Sequence, residues 1–362
     1  MHIGRRRMDR RCAWARGGRH AFRLERVVAP GRIMMEAMTA TATVLVGLIV
    51  GSFLNVVILR LPQGSFRSAG SRSHCPKCGE LIRAKDNIPV LSYLLLRGRA
   101  RCCKSSIHWR YPVIELLTAF AFFLLYLFHA PLTDGYVPQL PTLARLAVDA
   151  CFVSAILAAS VIDLEHRILP DAINYPGLVC GLAISLLMPG LHSGDWVSAS
   201  GALANAPMAS LIDAALGAGI GAGAIYSIAL VGKLVYRTEA MGLGDVKFMA
   251  FTGAFVGPQS VLLAMLLAVL VGAVLGLIAA LRSGDPRTPF GPFLAIGVLA
   301  VHFYEQVVQK ALLEDFPLWL QTSPYGLPVM LLVCVLSIVA LLLLRRIRLD
   351  AGDDDSEYDA PE

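Results

Sequence analysis

Long apolar runs alternate with short polar connections along the chain. The runs are roughly 18 to 22 residues long, the length that crosses a hydrocarbon core as helix. They predict spans at about 41–59, 112–129, 143–162, 172–189, 210–231, 246–257, 259–281, 290–304 and 325–344. Only Gly257-Pro258 separates the sixth run from the seventh, so these two form either a tight hairpin or one broken element. The expected fold is an all-α polytopic membrane protein of about eight transmembrane helices, with a small cysteine-containing cytoplasmic loop domain.

Composition agrees: 56% of residues are hydrophobic, 16% are charged, and the mean hydropathy is +0.63. Soluble domains carry about 25% charged residues, so a water-soluble globule of this length is excluded. Charge by position orients the spans. The stretch 60–111 holds eleven Lys/Arg against two acids, whereas 130–142 and 190–209 hold no Lys or Arg; by the positive-inside rule the first is cytoplasmic and the others lie outside. Arg167, Lys233, Arg237, Lys247, Arg282 and Arg287, and later Arg345, Arg346 and Arg348, fall on the cytoplasmic side of the same pattern.

The expected organisation is a basic extension at 1–37, an N-terminal region at 41–129 containing the cytoplasmic loop 60–111, a membrane domain at 143–304, a last helix at 325–344 and an acidic, disordered tail at 350–362. Residues 1–37 hold ten arginines and no lysine. A single span before a cytoplasmic 60–111 would put those arginines outside, against the rule. The expectation that resolves this is a natural start near Met34, Met35 or Met38.

Two aspartates carry the candidate chemistry. Asp163 ends an apolar helix in V-I-D-L-E-H-R-I-L-P-D, and Asp245 opens another in M-G-L-G-D-V-K. Charge topology puts both at the cytoplasmic face, and Gly242 and Gly244 clear side chains from beside Asp245, allowing a backbone to approach closely. Two carboxylates within a few ångström share a proton. One can then take a proton from water while the other donates to a scissile carbonyl oxygen. A proton relay in a transporter could use the same pair, so the carboxylates alone leave two classes open. Asp171 reads as a helix N-cap, Glu165 as a solvated loop residue, and Lys247 either favours the ionised form of Asp245 or meets a lipid headgroup. The glycine-rich 217–223 lies inside an apolar run and reads as a small-residue helix-packing face.

The two aspartate stretches resemble those of the prepilin (type IV leader) peptidases, bacterial membrane aspartic proteases of the GxGD type. The resemblance extends to G-S-F-L-N-V-V-I-L-R-L-P at 51–62, C-P-K-C-G-E-L-I-R-A-K-D-N-I-P-V-L-S-Y-L at 75–94, R-Y-P-V-I-E-L-L at 110–117 and P-F-G-P-F-L-A-I-G at 289–297. It implies that Asp163 and Asp245 are the catalytic aspartates, with Asp171, Gly242, Gly244 and Lys247 in support. It also implies type IV prepilins and pseudopilins as substrates, the bacterial inner membrane as location, and S-adenosylmethionine-dependent N-methylation of the new amino terminus as a second activity. The expected partners are these precursors and the lipid bilayer, not nucleic acid. A peptidase without methylation and a proton-coupled transporter are the alternatives.

Cys75 and Cys78 form a C-x2-C knuckle, and Cys102 and Cys103 follow about 24 residues later. Two pairs suit tetrahedral zinc. Members of the resembling family repeat C-x2-C at the second position; here Cys103 aligns with the fourth cysteine, but Ala100 stands at the third. Three expectations follow: a displaced ligand at Cys102, a three-cysteine site completed by His74 or His108, or metal-free thiols.

Overall fold

The computed structural model describes residues 30–64, 73–75, 77–129, 140–192, Val197, 207–236, 242–283, 289–309, Ala311 and Asp315. The expected span 325–344, most of the basic extension and the acidic tail lie outside the described residues. The helices are α1 (Pro30–Arg60), α2 (Leu91–Leu95), α3 (Arg110–His129), α4 (Leu140–His166), α5 (Asp171–Leu187), α6 (Pro207–Tyr236), α7 (Leu243–Ser283) and α8 (Gly291–Gln309). No strand occurs among the described residues, only isolated bridges. Segments of α1, α3, α4, α6 and α7 are long and apolar enough to cross a membrane, and α5 and α8 contribute shorter apolar helices.

The two runs around Gly257-Pro258 are the two arms of a tight hairpin, both within α7. Gly257 holds φ 83°, ψ 174°, a conformation that side-chain-bearing residues avoid, and Pro258 cannot donate a helical hydrogen bond. The chain reverses there, because Gly221 of α6 meets both Met249 and Val261, residues that a continuous helix would hold about 18 Å apart.

Helix α4 is the hub, touching α1, α3, α5 and α8, while α6 packs along α7 and α1 along α3. Helices α6 and α7 meet in a close seam. A Cβ on Gly221 would stand 2.6 Å from the Met249 carbonyl oxygen, and one on Gly217 would overlap Gly253, so the glycines of 217–223 let two backbones meet. Phe152 of α4 stacks on Phe255 of α7 at 4.6 Å between ring centroids. Pairs of this kind contribute about 0.5–1.5 kcal/mol beyond area burial. Farther along α4, buried Asp149 accepts hydrogen bonds from Arg145 and pairs with His129 of α3, both at 2.9 Å, and lies 3.7 Å from His302 of α8. Such a polar cluster inside an apolar bundle ties three helices at one level.

Candidate active site

Asp163 lies in the last turn of α4, only 6% exposed. The helix ends just beyond it because Arg167 adopts φ +56° while its N–H closes on the Asp163 carbonyl at 2.8 Å. The connection Ile168-Leu169-Pro170 then turns the chain into α5. Gly244 lies against this connection: a Cβ there would meet the Leu169 Cβ at 3.2 Å. The glycine therefore lets the start of α7 close onto the residues that follow Asp163. Asp245, in the first turn of α7, is half-buried, and its carboxylate lies within electrostatic reach of Asp163. Gly242 faces open space apart from Gly244.

The Asp163 Oδ2 atom accepts the backbone N–H of Gly291 at 3.0 Å. Gly291 is the first residue of α8, so the donor is one of the unpaired N–H groups at a helix N-terminus, where the dipole favours negative charge. A Cβ on Gly291 would stand 2.5 Å from that same oxygen. This role of the P-F-G-P stretch is not assigned from sequence, where its signal is a glycine between two prolines at the mouth of an apolar helix.

Around this pair, Lys247 reaches Asp171 at 2.8 and 2.9 Å and lies 5.0 Å from the centre of the Tyr175 ring. Its ammonium group thus braces α7 against α5. Asp171 occupies the first position of α5, Pro170 is the N-cap, and the cap makes no side-chain hydrogen bond. Glu165 belongs to the last turn of α4 and pairs with Arg110 of α3. That ion pair sets the start of α3 beside the Asp163 end of α4.

Among the described residues of the loop between α1 and α3 are two hairpins built on one hydrogen-bond scheme. In the first, the Cys75 N–H donates to Glu80 O at 2.8 Å, Cys75 O accepts from Gly79 at 2.9 Å, and His74 bridges Leu81. In the second, Ala100 donates to Ser105 O at 2.8 Å, accepts from Lys104 at 2.9 Å, and Arg99 bridges Ser106. Even the left-handed residue recurs, Gly79 at φ +72° and Lys104 at φ +58°. Ala100 is therefore the structural counterpart of Cys75, Cys103 that of Cys78, and Cys102 an addition one position earlier.

The turn at 101–103 nevertheless gathers all four sulfurs within 4.8 Å of one another. Cys75 and Cys103 are 3.7 Å apart, Cys78 and Cys102 3.3 Å, and Cys102 and Cys103 3.9 Å. Tetrahedral zinc with Zn–S bonds of about 2.3 Å sets its sulfurs about 3.8 Å apart, so the four thiols fit that ion. Hydrogen bonds from Ser105 pull the Cys103 thiol down to about 6, whereas the neighbouring Cys78 thiol and burial push Cys102 up to about 12. Neither His74 nor His108 joins the cluster; His108 accepts the Arg110 N–H through Nδ1 at 3.1 Å.

Residues 150–277 match the type IV leader peptidase family, and residues 45–129 match the bacterial peptidase A24 N-terminal domain. A "Type 4 prepilin-like proteins leader peptide-processing enzyme" of Escherichia coli is 38% identical over 286 residues, covering 74% of this chain and 95% of the relative. The chain belongs to the type IV leader peptidase family. Its similarity extends to a "Prepilin leader peptidase/N-methyltransferase" of Pseudomonas aeruginosa, 36% identical over 297 residues and covering 75% of this chain and 92% of the relative. A protein of the same name from Burkholderia pseudomallei is 35% identical over 295 residues, covering 74% and 86%. No solved structure matches this leader peptidase.

Proposed function

We propose that this leader peptidase is a membrane aspartic endopeptidase that removes the leader of type IV prepilin-like precursors and methylates the amino terminus it exposes. The carrying observation is that two carboxylates from separate helices, Asp163 and Asp245, come within electrostatic reach at one end of the bundle. One carboxylate takes a proton from the attacking water, and the other donates to the oxygen of the scissile carbonyl. As the tetrahedral species collapses and the C–N bond breaks, the proton taken from water passes to the leaving amine and the proton on the former carbonyl oxygen returns to the other carboxylate. No covalent intermediate is needed. The Gly291 N–H holds the Asp163 carboxylate in place, and the Lys247–Asp171 brace steadies the turn carrying Asp245.

The end of the bundle that carries the pair also carries the basic loop 60–111, and the positive-inside rule assigns that end to the cytoplasm of an inner membrane. A prepilin whose apolar helix lies in the bilayer presents its scissile bond at that interface. The regions 41–129 and 143–304 act as two units, the second holding the aspartates. S-adenosylmethionine supplies the methyl group of the second activity, as the relatives' names imply. Cys75, Cys78, Cys102 and Cys103 would hold zinc, which ties the two hairpins together and takes no part in hydrolysis.

Asp163→Asn and Asp245→Asn in the reconstituted full-length enzyme are expected to lower cleavage of a model prepilin by at least about 10²-fold while membrane insertion is retained. Processing by either variant within tenfold of the parent would overturn the assignment.

A further inference from the structure

The segment leading into α2 carries a carboxylate contact that fixes its depth. The Val90 N–H donates to Glu115 Oε2 at 2.7 Å, and Glu115 is five residues into α3, which begins its span at Arg110. Five residues of helix advance about 7.5 Å. The Glu115 side chain leans back toward the start of α3, so Val90 is held against the first turns of α3 rather than beyond its Arg110 end. Val90 itself adopts φ +58°, ψ −48°, in a turn that the Leu91 N–H closes on the Pro89 carbonyl at 2.5 Å. The neighbouring helix agrees on depth: Gly51 of α1, well inside the Arg60 end, packs against Glu115.

At this level the short helix turns leucines outward. Leu91, Leu94 and Leu95 are 49%, 64% and 72% exposed, and Trp109, immediately before α3, is 64% exposed. A soluble loop would leave such a patch in water at considerable cost. Basic residues flank it: Arg97, Arg99 and Lys104 are exposed, in a stretch with eleven Lys/Arg against two acids. Apolar side chains level with the first turns of a span, an exposed tryptophan at its mouth and cations beside them match the composition of an interfacial segment.

We propose that α2 and Trp109 form an interfacial anchor that inserts into the leaflet on the Asp163 side, with the adjoining arginines on anionic phospholipid headgroups. The charge beside the patch complements anionic lipid and repels the basic leader of a substrate. The Arg110–Glu165 pair puts this anchor at the same end of the bundle as the aspartates. The inference does not depend on peptidase activity.

The test uses the full chain in phosphatidylcholine nanodiscs with or without phosphatidylglycerol. Two reporters are compared: Trp109 with Trp14, Trp196 and Trp319 replaced by phenylalanine, and Leu95→Trp with all four native tryptophans replaced by phenylalanine. Phospholipids brominated near the top of the acyl chain are expected to quench both reporters about twofold or more, with chains brominated near their ends quenching less and aqueous iodide little. Phosphatidylglycerol is expected to increase the quenching, and Arg97→Gln/Arg99→Gln to remove that increase. Strong iodide quenching with none from brominated lipid would overturn the proposal by placing the patch in water. Protection from both quenchers would overturn it by showing that another part of the protein covers the patch.

Discussion

Replacing Gly291 by alanine adds one carbon where the Asp163 carboxylate already stands. The added Cβ would lie 2.5 Å from Oδ2 and 3.0 Å from the carboxyl carbon. Carbon and oxygen in close contact settle at about 3.3 Å, so the carboxylate or the start of α8 must retreat by about 0.8 Å. That retreat breaks the 3.0 Å bond from the Gly291 N–H. A hydrogen bond to a charged group is worth about 1.5–3 kcal/mol, which corresponds to a factor of roughly 10 to 100 in rate. The assay is steady-state cleavage of a model prepilin by the full-length enzyme in nanodiscs, with a thermal unfolding midpoint measured on the same preparations. Because Gly291 touches the aspartate rather than the substrate, kcat is expected to fall while KM changes little. Cleavage within threefold of the parent would refute the reasoning. So would a loss that only tracked the fraction of protein unfolded.

The remaining expectations concern the supports. Cys102→Ser is expected to lower bound zinc and to weaken the sulfur-to-metal charge-transfer bands of the cobalt-substituted protein, and Ala100→Cys added to Cys102→Ser to restore both, since Ala100 repeats the place of Cys75; full zinc and unchanged bands in Cys102→Ser would show that Cys102 is no ligand. Lys247→Met removes an ion pair whose Asp171 side chain is 56% exposed, so the loss of stability is expected to stay below about 1 kcal/mol; a denaturation shift beyond about 2 kcal/mol would contradict that screening. Gly221→Leu forces a side chain toward Met249 O, whereas Gly219→Leu meets nothing within 4 Å. The first is expected to cost about 1–3 kcal/mol or more and the second close to nothing, and equal unfolding midpoints would refute the close packing of α6 on α7.

Features defined by neighbouring residues were legible from sequence, and features defined by distant ones were not. Asp163 and Asp245 each sit in a local pattern of apolar run, turn and glycine, so their placement at helix ends could be read directly. The break at Gly257-Pro258 was visible, but its outcome was not. Hairpin and kink share the same dipeptide, and only packing of α7 against α6 and α8 decides between them. Glu165 looked like a loop residue because its partner, Arg110, is 55 residues away. Lys247 was read against Asp245, its neighbour in sequence, although its ammonium group meets Asp171 on another helix. The cysteines make the same point from the other side. Adjacent residues ordinarily point apart, and the convergence of Cys102 and Cys103 depends on the turn before the left-handed Lys104.

The Asp149 cluster gives α8 a mechanical character. The helix is fastened to α4 at two places, by the Gly291 N–H at Asp163 and by His302 beside Asp149. Those attachment points are eleven residues apart on α8, a lever arm of about 16 Å. A tilt of only about 2.5° around the Asp149 end would carry Gly291 about 0.7 Å over that length, nearly the displacement that an added methyl group would impose. Alignment of the scissile machinery is therefore adjustable from the opposite half of the bilayer, where bilayer thickness or a compound lodged between α4 and α8 could act as a tuning screw.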